Sequence, residues 1–136
     1  MKGLLLWTFI LTVLTVIGLT FLLGFVILSK SRALETSAAL NAEEISGVIN
    51  LLQAAQPGTV HQYTLPQTEC EIKIDDISVT VSMKAGRKGT HSLGYIKQQS
   101  IDVVDGTETC DPKKDKIIYL VRCKNTVAMS QSTKPC

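Results

Sequence analysis

From Gly3 to Leu28 the chain reads GLLLWTFILTVLTVIGLTFLLGFVIL, 26 residues without a charge, an Asn, Gln, His or Pro. This stretch limits the fold more than any other feature. A bilayer core is crossed by about 20 apolar residues in one helix, and a longer run is accommodated by tilt. Lys2 flanks one end, and Lys30 and Arg32 the other. Residues 1–32 therefore read as a short basic start followed by a transmembrane helix. A cleaved secretory signal is the competing reading, and Ser31-Arg32-Ala33 offers a small-x-small site. The apolar region of such a signal is about 7–15 residues, and this run is too long for it.

Past Arg32 the apolar pattern changes period without stopping. In residues 33–56, Leu34, Ala38, Ile45, Val48, Ile49, Leu52 and Ala55 recur at spacings of three, four and seven. That is one face of an amphipathic helix. Glu35, Glu43, Glu44 and Asn50 fall largely elsewhere on the wheel. No proline occurs before Pro57, so one helix over about 3–56 is expected, with Ser29–Ser31 as the place for any hinge. At 1.5 Å per residue it would be roughly 80 Å long. Pro57 cannot continue it, and Gly58 lets the chain turn back.

Beyond the break, in residues 57–136, the period becomes two. Residues 60–65 alternate, CEIKI (70–74) and ISVTVSM (77–83) each have one apolar and one polar face, and Asp75-Asp76 lies between them. These two runs read as a β-hairpin. AGRKG (85–89) reads as a loop, 90–96 and 100–104 as weaker strands, Asp105-Gly106 as a turn, and IIYLVRC (117–123) as a central strand. The polar tail 124–136 is expected to fray unless Cys136 ties it down. A one-sided sheet needs a cover, and the apolar stripe of residues 38–55 can supply it. The expected fold is α+β: a long N-terminal helix packed by a small antiparallel sheet domain with disulfides.

Cys70, Cys110, Cys123 and Cys136 all follow the membrane segment. No Cys-x-x-Cys occurs, and His61 and His91 form no zinc-like pairing with them. An even count behind an anchor reads as two disulfides outside the cytoplasm, with three connectivities open. Metal ligands and free buried thiols are the alternatives. The charge flanks of the span nearly balance, so the cysteines alone place the C-terminal domain outside.

Little else carries chemistry. Asp75 and Asp76 are turn residues before they are a carboxylate pair. Glycine-rich phosphate loops, GxSxG and HExxH are absent, and no sequon occurs. A net charge of +2 gives no basic face for nucleic acid. The reading is no enzyme, no cofactor and no metal. Within the span, Thr8, Thr12 and Thr15 share a narrow face, while Thr20 and Gly24 lie opposite; with Gly18 these are candidate helix-packing positions, since small residues let membrane helices approach closely.

A short basic start, a long apolar helix continuing as an alanine-rich amphipathic one, and a small cysteine-bearing β domain together form a set. With the junction AEEISGVINLLQAAQPGTVHQYTLP (42–66), it resembles the type IV pilin-like proteins, especially archaeal pilins and their membrane-bound relatives. The resemblance implies a self-assembling filament subunit with apolar helices in the core and β domains outside. It also implies pilus assembly machinery and a peptidase that cuts a short leader, here between Gly3 and Leu4. Many pilins carry a glutamate early in that helix, and residues 4–28 here contain no acid. A single-pass anchored accessory or binding module, displaying its β domain within an envelope complex, is the alternative.

Overall fold

The computed structural model describes residues 2–85, 88–97, 99–131 and 136. The chain divides into two compact units, Met1–Ala33 and Leu34–Cys136. Helix α1 (Lys2–Ala54) makes up the described part of the first and opens the second. It is helical throughout, Ser29–Ser31 included. The Ser29 hydroxyl bonds back to the Val26 carbonyl at 3.0 Å, so it takes up a helical acceptor without breaking the ladder.

The helix ends as its sequence dictates. The Ala55 N–H donates to Leu52 O at 3.1 Å, tightening the last turn. Then Gln56-Pro57-Gly58-Thr59 closes with Thr59 N–H donating to Gln56 O at 3.2 Å. Pro57 sits at the second position and Gly58 at the third with φ +93°. That is a type II turn, whose third position needs positive φ and so favours glycine.

Eight strands follow: β1 (Val60–Thr64), β2 (Glu69–Ile74), β3 (Ser78–Ala85), β4 (Lys88–Tyr95), β5 (Asp102–Val103), β6 (Gly106–Cys110), β7 (Ile117–Arg122) and β8 (Thr126–Ser130). They form two four-stranded sheets, β1-β7-β8-β5 and β4-β3-β2-β6. Every pairing is antiparallel except β5 with β8. Sequence led to one small sheet, and the structure corrects that in three places. Residues 106–110 form a strand, β6, beginning at the glycine read as a turn. The tail read as fraying contains β8, paired with both β7 and β5. The loop read over 85–89 narrows, because Ala85 already faces Lys88 in the β3–β4 ladder; Gly86 and Arg87 lie outside the described residues.

The hairpin expected at Asp75-Asp76 is present with Ile74 opposite Val79, and Asp75 N–H donates to Ser78 O at 2.9 Å. β7 is interior in its sheet, between β1 and β8, as its nearly continuous apolar sequence requires.

One hydrophobic core unites helix and sheets. Ala38, Ala42, Ile45 and Ile49 of α1 are fully buried, and Leu52 nearly so. They join Ile72, Ile74, Val79, Val81 and Met83 from one sheet and Tyr63, Val103, Ile118, Leu120 and Val127 from the other. Each large apolar side chain withdrawn from water in this way contributes about 1.5–3 kcal/mol. Of the stripe read from sequence, Ala38, Ile45, Ile49 and Leu52 are buried and Leu34, Val48 and Ala55 half-buried, while Ala42, Ser46 and Gln53 are buried beside them. Asn50, placed off that face, is half-buried and accepts from Lys97 N–H at 2.8 Å while donating to Tyr95 O at 3.4 Å. A polar side chain can sit there because it binds the backbone at the end of β4.

Both disulfides form: Cys70 with Cys110 and Cys123 with Cys136. The first joins residues directly opposite each other in the β2–β6 ladder. The second fastens the chain end to the residue after β7.

Candidate functional site

Three places in the molecule could interact with something else. The first is the apolar segment of the first unit. Large side chains from Leu6 to Leu28 are exposed throughout, including Trp7, Phe9, Phe21 and Phe25. None of the span's most apolar window is buried within the chain. By length and composition this segment can cross a membrane.

Its hydroxyls are satisfied along their own helix. Thr12 Oγ1 donates to Phe9 O at 2.8 Å and Thr8 O at 3.1 Å, Thr15 Oγ1 to Thr12 O at 2.8 Å and Leu11 O at 2.9 Å, and Thr20 Oγ1 to Ile17 O at 2.7 Å. These threonines cost little in lipid, because each proton already has a carbonyl, and each hydroxyl oxygen keeps acceptor capacity. At Gly18 and Gly24 an added Cβ would meet nothing within 4 Å. Neither glycine is demanded by packing inside the chain. Gly3 and Leu4 lie in the first turn of α1.

The second place is a groove of about 200 Å³ between the last turns of α1 and the edge strand β1, floored by Val48, Leu51, Leu52, Ala55 and Val60. Leu51 is 73% exposed, and His61 stands at the rim in solvent. The outer side of this helix continues with exposed Leu40 and with Gly47, which has open space around it.

No protein-family model, curated protein or solved structure matches this chain.

The third place is a polar cavity of about 230 Å³ lined by Gln53, Asp76, Gln99, Ile101, Asp102 and Val103. The Gln53 amide donates to Ile101 O at 3.1 Å. Among the described residues its Oε1 is buried with no partner, at a cost of about 1–3 kcal/mol. Among the described residues no group of three or more His, Cys, Asp or Glu converges as a metal site. His91 is exposed on β4, and Asp75 pairs with Lys73 at 3.1 Å on the surface.

Two polar anchors that sequence did not single out hold the second unit together. Arg122, at the end of the apolar strand β7, is buried, and its guanidinium donates to the carbonyls of Cys123 and Lys124. Tyr63 is buried, and its hydroxyl donates to Asn41 Oδ1 on α1. Its phenol is pushed up from 10.0 to about 12, first by burial and then by the Glu44 carboxylate. A raised pKa means the folded state favours the protonated phenol. The stability Tyr63 contributes is complete below pH 10 and falls as pH climbs towards 12. Thermal unfolding across that window should therefore show a steeper loss in the natural chain than in Tyr63→Phe, which has no proton to lose. Equal slopes would show that the phenol does not titrate with folding.

Proposed function

We propose that this chain is a structural subunit of an extracellular type IV pilus-like filament, assembling through its apolar helix and displaying residues 57–136 outside the cell. The observation that carries this reading is the exposure of the large apolar side chains all along the segment from Leu6 to Leu28. Lipid satisfies such a surface while the subunit is in the membrane, and copies of the same helix satisfy it in a filament. The small residues Thr8, Thr12, Thr15, Gly18, Thr20 and Gly24 permit the close approach that helix packing without water requires. The disulfides fit an extracytoplasmic location. Leu40, Gly47 and Leu51 on the uncovered side of the outer helix give neighbouring copies more to pack against.

Electron microscopy of filaments sheared from the source cells, with mass spectrometry of the chain's amino terminus, tests the proposal. Filaments built from a chain that starts at Leu4 are the expected result. A chain that keeps Met1 and is found only in membranes would overturn it. Gly24→Leu places a large side chain where Cβ now has open space. It should abolish assembly and leave the β domain folded, as judged by amide protection in β3 and β7; normal filaments with that bulk in place would sink this packing face.

One observation favours a second reading, an anchored accessory or binding module. The stripe Ala38–Leu52 is buried by the chain's own sheets, so that side of the outer helix needs no neighbour. In that case the protein remains monomeric in the membrane, and the groove beside β1 is where a partner would seat.

A further inference from the structure

The two disulfides divide the second unit into segments that can carry tension and segments that cannot. Tension applied between α1 and the chain end follows the backbone through β1 to Cys70. There it crosses the bond to Cys110, runs through β7 to Cys123 and crosses again to Cys136. The 39 residues between the first pair and the 12 between the second are bypassed. Except for its two terminal residues, Glu69 and Cys70, and for Cys110, the sheet β4-β3-β2-β6 lies inside the first bypass, with β5. β8 lies inside the second.

Beyond α1 itself, whose outer half is held in the core, the strands left in the path are neighbours. β1 and β7 pair antiparallel with Val60 opposite Val121. The end where force enters is also the end where it leaves: Gly58 N–H donates to Arg122 O at 2.7 Å, and Arg122 N–H to Thr59 O at 2.9 Å. Pulling an antiparallel pair apart from one end loads its hydrogen bonds one at a time, because they lie across the strands. This pair therefore opens at low force. What it releases is short: residues 55–70 and 110–123 span at most about 100 Å when extended.

We infer that the second unit is a strain-limiting element: β1 and β7 unzip under load, and the two disulfides then stop the extension and keep the sheet β4-β3-β2-β6 and β8 out of the tension path. This property belongs to the folded monomer. Only its use in a filament under drag rests on the reading proposed above, and a monomer experiment tests it separately.

The full chain in detergent, tethered at both ends and stretched singly, is the test. The oxidised chain should reach a limit, and a reductant added while it is held extended should lengthen it in two steps. Opening the 40-residue separation adds about 130 Å and opening the 13-residue one about 40 Å, at ~3.5 Å per residue. Because each step reads the length of chain that a bond withholds under load, the result does not depend on a variant folding. The double variant Cys70→Ala/Cys110→Ala should lose the long step and keep the short one, and Cys123→Ala/Cys136→Ala the reverse. An oxidised chain that extends through its whole length, or a reduced one with no step near 130 Å, would overturn the inference.

Discussion

Gly94→Ala should disrupt the second unit, although it adds a single methyl group to a strand. Gly94 lies in β4 opposite Val79, and the backbone of α1 comes directly against it. A Cβ built there would run into the Ala42 carbonyl oxygen and lie 2.6 Å from Ser46 Oγ and 2.7 Å from the Ala42 carbonyl carbon. Ser46 can rotate, but the Ala42 carbonyl belongs to a helix whose next residues inward, Ile45 and Ile49, are fully buried. Relief requires α1 to lift from β4, which opens the core and pulls on the Asn50 bonds to Tyr95 and Lys97. Overpacking a rigid site costs about 1–3 kcal/mol and more where backbone must move, and a domain this size has only about 5–15 kcal/mol in total. We expect a loss of about 3 kcal/mol or more, read as faster amide exchange throughout the buried strands. Gly89→Ala in the same strand is the control. Its nearest neighbours would be 3.7 Å away, an ordinary contact, and it should change little. Equal effects at the two glycines would show that α1 does not press on β4 as described.

The need for glycine at 94 illustrates what the sequence conceals. Leu93-Gly94-Tyr95 looks locally like a strand with a weak point, and only the approach of Ala42, 52 positions earlier, makes that glycine necessary. Features set by local chemistry were legible. The apolar span, the stop at Pro57 with its turn at Gly58, the hairpin at Asp75-Asp76 and the interior placement of β7 all follow from period and turn residues. β6 and β8 were not legible because their burial is partial. GTETC turns only Cys110 fully inward and TVAMS only Val127, so neither run has the apolar alternation that marks a strand. Missing those two strands reduced two sheets to one. Asn50 and Gln53 were hidden for the same reason as Gly94, since their partners are distant backbone groups; Arg122 bonds carbonyls one and two positions on, and what its sequence does not show is that it is buried. As for the candidate site, the apolar helix was plain in the sequence, while the groove beside β1 depends on how the end of α1 meets a sheet edge.

Removing the Cys70–Cys110 bond should be the more damaging of the two disulfide losses, and the reason lies in the unfolded chain. Both native cysteines are buried, and β2 and β6 remain paired from Glu71 opposite Thr109 to Ile74 opposite Gly106 without the bond. The folded state therefore loses little contact when both become alanine. The unfolded state gains the freedom of a 40-residue separation, worth about 4 kcal/mol in the chain-entropy account, against about 3 kcal/mol for the 13-residue separation of Cys123 and Cys136. Amide exchange in β3 and β7 of the full chain can measure this. A loss of 4 kcal/mol should speed exchange from the globally unfolded state roughly 10³-fold. The two losses should also add in the unfolded chain, because the closed segments do not overlap in sequence. If the Cys123–Cys136 variant proves the weaker protein, the native state must be the reason. Its bond anchors the chain end beside Arg122, whose buried guanidinium depends on the carbonyls of Cys123 and Lys124. Releasing that corner would then strand a buried charge, a cost that loop length does not measure.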